Sequence, residues 1–353
     1  MAHRVGPELD SYSNTPVSRY ELRGRPHSRI QGPLHDVEIR MRPRPAEPSD
    51  NTTRRGIDAA TLLIAGLIYG GWIVLTLNAA RLPPLMVATF GGWLLAWHGS
   101  LQHETIHGHP TGSRAFNRLL GFPPLSLWLP YARYHQLHLD HHATENLTVP
   151  GVDPESRYLP AQGPVLERAL ARITSTLLGR LTIGPVLEIG GFLASEAKAA
   201  IRGDAGVRRT WAIHLAALAG LSAWLIAVCD LSLGRYLLWF VYPGAALSLL
   251  RSFAEHRADP DPARRIAVVE QAPIFSLLFL NNNLHAVHHA FPAASWRQLP
   301  SLYAKHRETI LLGNGGLVYR GYQDVVGRYL LKPHDVLVHP EEGHAAAREP
   351  VAA

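Results

Sequence analysis

HGSLQHETIHGHPTGSRAFNRLLGFPPLSLWLPYARYHQLHLDHH, residues 98–142, decides how the rest of this chain is read. It carries His98, His103, His107 and His109, then His135, His138, His141 and His142, and it begins where a long apolar run ends. A second cluster, His285, His288 and His289, lies far downstream, with His256 between the two. These positions hold most of the chain's 20 histidines. Such a concentration points to a metal site at a membrane surface, with the remaining chain bringing the clusters together.

The spacing sharpens that reading. His103 and His107 are four apart, and His138, His141 and His142 stand at i, i+3 and i+4, a pattern repeated by His285, His288 and His289. On a helix these offsets place side chains one turn apart on one face. One such pair is an ordinary solvated helix face, but three boxes are not. The only cysteine is Cys229, so no internal disulfide and no CxxC metal motif exist, and the ligands must be histidines and carboxylates. Neutral imidazole suits Zn, Cu, Fe and Ni. One zinc takes three or four ligands, so this many convergent histidines point to two metals. A nitrogen-rich two-metal site at a membrane suits di-iron oxygen chemistry.

Working outward, the 47% hydrophobic content is concentrated in a few blocks. Four have membrane-spanning character: about 57–80, 85–101, 211–229 and 236–250. Arg81-Leu82-Pro83-Pro84 makes the first two a hairpin. Arg54 and Arg55, then Arg202, Arg208 and Arg209, flank the spans on one side, which the positive-inside rule assigns to the cytoplasm along with every histidine cluster. This placement explains the net charge of +6 without a nucleic-acid partner. Phe116–Tyr134, broken by Pro123, Pro124 and Pro130, reads as interfacial or re-entrant. Residues 143–163 read as a loop, and 164–201 as an amphipathic helix lying on the membrane. Residues 1–55 and 333–353 read as disordered tails on either side of a membrane domain at 56–332. The N-terminus has no apolar core of the kind found in a cleaved signal peptide.

HETIH at 103–107, HLDHH at 138–142 and HAVHH at 285–289 resemble the three histidine boxes of the integral-membrane fatty acid desaturase superfamily, which includes alkane hydroxylases and carotenoid ketolases. The resemblance covers roughly Trp93 to Tyr322, and RSFAEHR at 251–257 resembles the family's extra ligand segment. It implies an all-α membrane protein with four transmembrane helices under a cytoplasmic helical cap. It also implies two irons held by His103, His107, His138, His141, His142, His256, His285, His288 and His289. Some relatives have an Asn four residues before the extra histidine, where this chain has Ser252. His98, His109 and His135 fit no box. Ligating histidines usually give their other ring nitrogen to a carboxylate or carbonyl. Glu104, His135, Asp140, Asp153, Glu155 and Glu255 are the candidates for that outer layer.

By resemblance the activity is O2-dependent desaturation of a fatty acyl chain or similar amphiphile. The alternatives are hydroxylation or ketone formation, or desaturation of a small amino-acid-derived metabolite. No flavin, nicotinamide, haem or Fe–S motif is present, so a ferredoxin- or cytochrome-type electron donor is expected. The expected location is a bacterial inner membrane, crossed several times, with both termini cytoplasmic. The first box also reads HExxH, the zinc-protease pattern with Glu104 as general base. That alternative leaves both HxxHH boxes unexplained.

Overall fold

Asp58 starts the first helix by accepting from the N–H groups of Ala60 and Thr61, which satisfies two of the donors a helix N-terminus leaves free. The computed structural model describes residues 56–160 and 164–340. The N-terminal tail, residues 161–163 and residues 341–353 lie outside the described residues. Helix α1 is Ala59–Asn78 and α2 is Pro84–Ile106, with Pro84 in its first turn. The expected 116–134 segment becomes a short helix α3 (Arg114–Gly121), a proline-rich crossing, and α4 (Tyr131–Ala143).

The stretch expected as one amphipathic helix, 164–201, is three: α5 (Val165–Thr174), α6 (Leu177–Thr182) and α7 (Gly184–Ile201). Thr176 caps α6 by accepting from Gly179 N–H, and Pro185 sits in the first turn of α7. Those two signals divide the helix. Exposed Val165, Leu166, Val186 and Ile201 keep the apolar face expected of a surface-lying segment.

Asp204 caps α8 (Ala205–Ala223), which continues through a π-helical turn, Trp224–Val228. Ser232 caps α9 (Leu233–Tyr236), which passes through a second π-helical turn into α10 (Tyr242–Glu255). Helices α11 (Pro273–Leu278), α12 (His285–Ala290), α13 (Leu299–Gly313) and α14 (Tyr322–Tyr329) follow. Two-residue strands β1 (Val268–Val269), before α11, and β2 (Val318–Tyr319), before α14, pair in parallel, Val268 opposite Val318.

Among the described residues, three helical stretches are long and apolar enough to cross a membrane: Ala59–Asn78, Ala205–Val228 and Leu233–Glu255. The chain is therefore an all-α, multi-span membrane protein. The expected count was four. The missing one is α2, whose 23 residues suffice in length but whose second half carries buried His98, Ser100, Gln102, His103 and Glu104. Only its start presents apolar side chains outward, at Leu85, Met86 and Phe90.

From Leu95 onward α2 is encased by protein. A Cβ on Gly92 would stand 2.7 Å from Pro243 Cβ, and one on Gly244 would stand 2.7 Å from Leu95 Cβ. Small residues here let α2 and α10 approach closely, as in other membrane helix pairs. That approach brings the histidine-bearing end of α2 against the end of α10.

One sequence expectation fails at the C-terminal side. The sequence reading puts residues 333–340 in a disordered tail, yet His334 N–H donates to Ser175 O (2.8 Å) and Leu159 N–H donates to Leu337 O (2.8 Å). His339 is fully buried and hydrogen-bonds Thr148 Oγ1 at 2.9 Å.

Candidate metal centre

Four segments deliver the histidines. The C-terminal turn of α2 carries His103, and His107 ends that helix. Helix α4 carries His138, His141 and His142. His256 is the first residue past α10, and α12 carries His285, His288 and His289. They form two groups: His103, His107, His138, His142 and His288 in one, and His141, His256, His285 and His289 in the other, with ligand atoms inside each group within 4.8 Å of one another. All the histidines named from the boxes and the extra segment are thus brought together.

The nitrogens fit a metal better than they fit one another. His107 and His138 bring their Nε2 atoms to 3.0 Å, His142 and His288 to 3.0 Å, His256 and His285 to 2.9 Å, and His285 and His289 to 3.1 Å. Buried His103 Nε2 and His141 Nε2 have no hydrogen-bond partner at all. Unprotonated imidazole nitrogens turned on one another repel, and a buried polar atom left alone is costly. A cation at each centre removes both problems. With metal–nitrogen bonds of about 2.0–2.1 Å, neighbouring ligands at right angles stand about 3.0 Å apart and tetrahedral ones about 3.4 Å. The observed spacings match the right-angled case.

The far sides of the rings are held. His138 Nδ1 faces Glu155 Oε1 at 2.9 Å, and His141 Nδ1 faces Asp153 Oδ1 at 2.8 Å. Asp153 is fixed in turn by the N–H groups of Thr148 and Glu155. His285 Nδ1 lies 3.1 Å from Asn282 Oδ1 and 3.4 Å from Glu255 Oε1, and His256 Nδ1 lies 3.3 Å from Arg265 O. Such partners fix the tautomer and leave Nε2 facing the metal.

Burial and mutual repulsion among the histidines hold His107, His142, His285, His288 and His289 well below the usual imidazole range, and burial and His141 lower His256 to about 4. His141 is the exception. Burial opposes its charged form, but Glu155 and Asp153 outweigh it and raise it to about 9.

The remaining candidates part company. Asp153, Glu155 and Glu255 back ligands as expected. Glu104 does not: its carboxylate accepts from Trp296 N–H at 3.2 Å. Asp140 is exposed on the outer side of α4. His135 is half-buried with its ring against Tyr131, 6.1 Å between centroids, and belongs to neither group. His98 is buried edge-on to Tyr69, and His109 Nε2 is 3.2 Å from Ala293 O. Ser252 turns back to its own helix, donating to Leu249 O.

Two contributors were missed from sequence. Asn282 stands one turn before His285, in the Asn281-Asn282-Asn283 run that signalled it. Arg251 stands 2.9 Å from Glu255 and anchors that carboxylate.

Residues 76–322, more than half of the chain, match the family described as fatty acid desaturase. No individually curated protein matches the chain. The matched span takes in all three boxes, His256 and the helices that hold them. With two histidine groups able to hold metal inside a multi-span membrane protein, this chain belongs to the fatty acid desaturase family.

Proposed function

We propose that this protein is a membrane-bound di-iron oxidoreductase that uses O2 to desaturate a fatty acyl chain or a similar amphiphile. The observation that carries this reading is the division of the histidines into a group of five and a group of four. Five nitrogen donors exceed the four of a tetrahedral zinc site, and imidazole suits iron. Two irons held there would supply O2-dependent removal of hydrogen from an unactivated C–H bond.

The chain's own part is holding and enclosing. Asp153 and Glu155 orient the rings of His141 and His138. Burial of His103, His138, His141, His285 and His288 keeps bulk water from the centre. In this reading α2 is the second of four spans, crossing back from the α1 hairpin. The cap and both termini are cytoplasmic, on the side of the arginine clusters, in a bacterial inner membrane. Electrons come from a ferredoxin- or cytochrome-type donor docking on that face.

The protease alternative loses support from Glu104. A general base would have to face a metal-bound water, whereas this carboxylate accepts from Trp296 N–H.

The test compares lipids and small metabolites, by mass spectrometry, from cells with and without the protein under iron-replete, donor-supplied conditions. A product lighter by two hydrogens supports desaturation. A product heavier by one oxygen would replace it with hydroxylation, and no change would count against both.

A further inference from the structure

A cavity of about 70 Å³ lies beside the second histidine group, between α5, α6, the end of α10 and residues 334–337. Arg157, Arg180 and Ser252 line it, together with His256 and the carboxylates of Asp153, Glu155, Glu255 and Asp335.

Every acid on its wall is engaged. Asp153 faces His141 and accepts from Thr148 N–H. Glu155 faces His138, and Glu255 lies beside Arg251. Asp335 accepts from the Tyr158 hydroxyl at 2.6 Å and from Ala258 N–H at 2.8 Å. Arg157 is paired with Glu188.

Arg180 is the exception. Its Nε donates to Thr174 O at 2.9 Å, and its guanidinium carbon lies 5.9 Å from the centre of the Phe253 ring. Among the described residues no carboxylate pairs with it. Burial, and then the nearby Arg157 charge, lower its pKa to about 9, with the Glu188 carboxylate offsetting part of that. Arg157 and Arg180 thus share the charge of the one Glu188 carboxylate, so one of the two half-buried guanidiniums has no anion of its own, which is unfavourable, and the flat fork of donors on Arg180 matches a carboxylate. The size agrees. A cavity of about 150 Å³ holds benzene, so this one admits an acid group and little more.

We infer that this cavity is a carboxylate pocket anchored by Arg180, and that it takes the acid end of a small substrate whose next carbons lie against His256. The pocket stands on its own geometry. The identification of its ligand as substrate rests on the function proposed above. It places the oxidised carbon within a few bonds of the acid, unlike mid-chain oxidation of a long acyl group.

The test uses the full chain in detergent, with iron content measured on every sample, and titrates butyrate, butyramide and sulfate by calorimetry. Wild type should bind butyrate. Arg180→Gln should weaken that binding at least about tenfold at unchanged iron content, Arg180→Lys should fall between, and butyramide should bind wild type at least about tenfold more weakly than butyrate. If Arg180→Gln does not fold, Arg180→Lys and the butyramide comparison decide. The inference is overturned if butyrate fails to bind wild type, if butyramide or sulfate binds as tightly, or if Arg180→Gln binds butyrate like wild type. Wild type that binds butyrate but holds no iron leaves the pocket standing and removes the di-iron reading.

Discussion

His141 and His288 hold the same middle place in their HxxHH boxes, and each crosses to the group that the rest of its own box does not serve. His138 and His142 stay with His103 and His107, while His141 turns to His256, His285 and His289. His288 does the reverse, its ring 4.6 Å from both His103 and His107 between centroids. The two groups are thus laced together by α4 and α12. In this account neither metal can be lost without loosening a helix that also serves the other.

His141→Ala and His288→Ala should therefore behave alike despite their different boxes. Each should lower bound metal from two per chain to one or fewer and bring activity below detection. Metal analysis beside product assays checks this. Retention of both metals in either variant would remove the residue from the ligand set.

Asp153→Asn should lose metal affinity or activity by roughly 10- to 100-fold, the range for partners standing behind metal-bound histidines. The carboxylate is buried and holds both His141 and the turn at Thr148. Asp140→Asn, on the exposed outer side of α4, should change neither. Competition against a chelator measures the first, and the second is its control.

The pH dependence has two opposite signs. In the metal-free protein His141 is raised from its ordinary value to about 9. Its contribution to stability is then fully present below about pH 6.5, and it is lost as pH rises through about 9. Metal binding needs this ring neutral. Metal affinity should accordingly fall about tenfold per pH unit as pH drops below 9, with about one proton released per chain on loading. Thermal melting with and without metal between pH 6.5 and 9 reads both slopes. Parallel slopes would contradict the assignment.

Glu104→Gln should keep its iron and remain within about tenfold of wild-type activity, because the amide oxygen can still accept from Trp296 N–H. Abolished activity at unchanged metal content would revive Glu104 as a base.

Gly92→Ala should destabilise by about 1–3 kcal/mol, the usual cost of overpacking, since its Cβ would meet Pro243 at 2.7 Å. Gly99→Ala in the same helix meets nothing within 4 Å and serves as the control. Melting temperatures in detergent compare the two.

The histidine boxes were legible because a metal site needs many imidazoles close together, and i, i+3, i+4 spacing is how one helix supplies them. Which group each ring joins was not legible. Positions i+3 and i+4 lie about 100° apart around a helix axis, so His141 and His142 splay apart, and only the rings brought in by the other segments assign the sides. The apolar start of α2 reads as that of an ordinary span. The polar second half is tolerated because α10 and the cap enclose it, which composition does not report. The order in residues 333–340 comes from long-range partners such as Ser175 and Thr148, and a polar tail gives no local sign of them.

Iron content per chain tests the central claim most directly. Protein produced under iron-replete conditions and assayed by elemental analysis should hold two irons per chain, falling to one or fewer in His141→Ala. One zinc per chain with no iron would contradict the di-iron account.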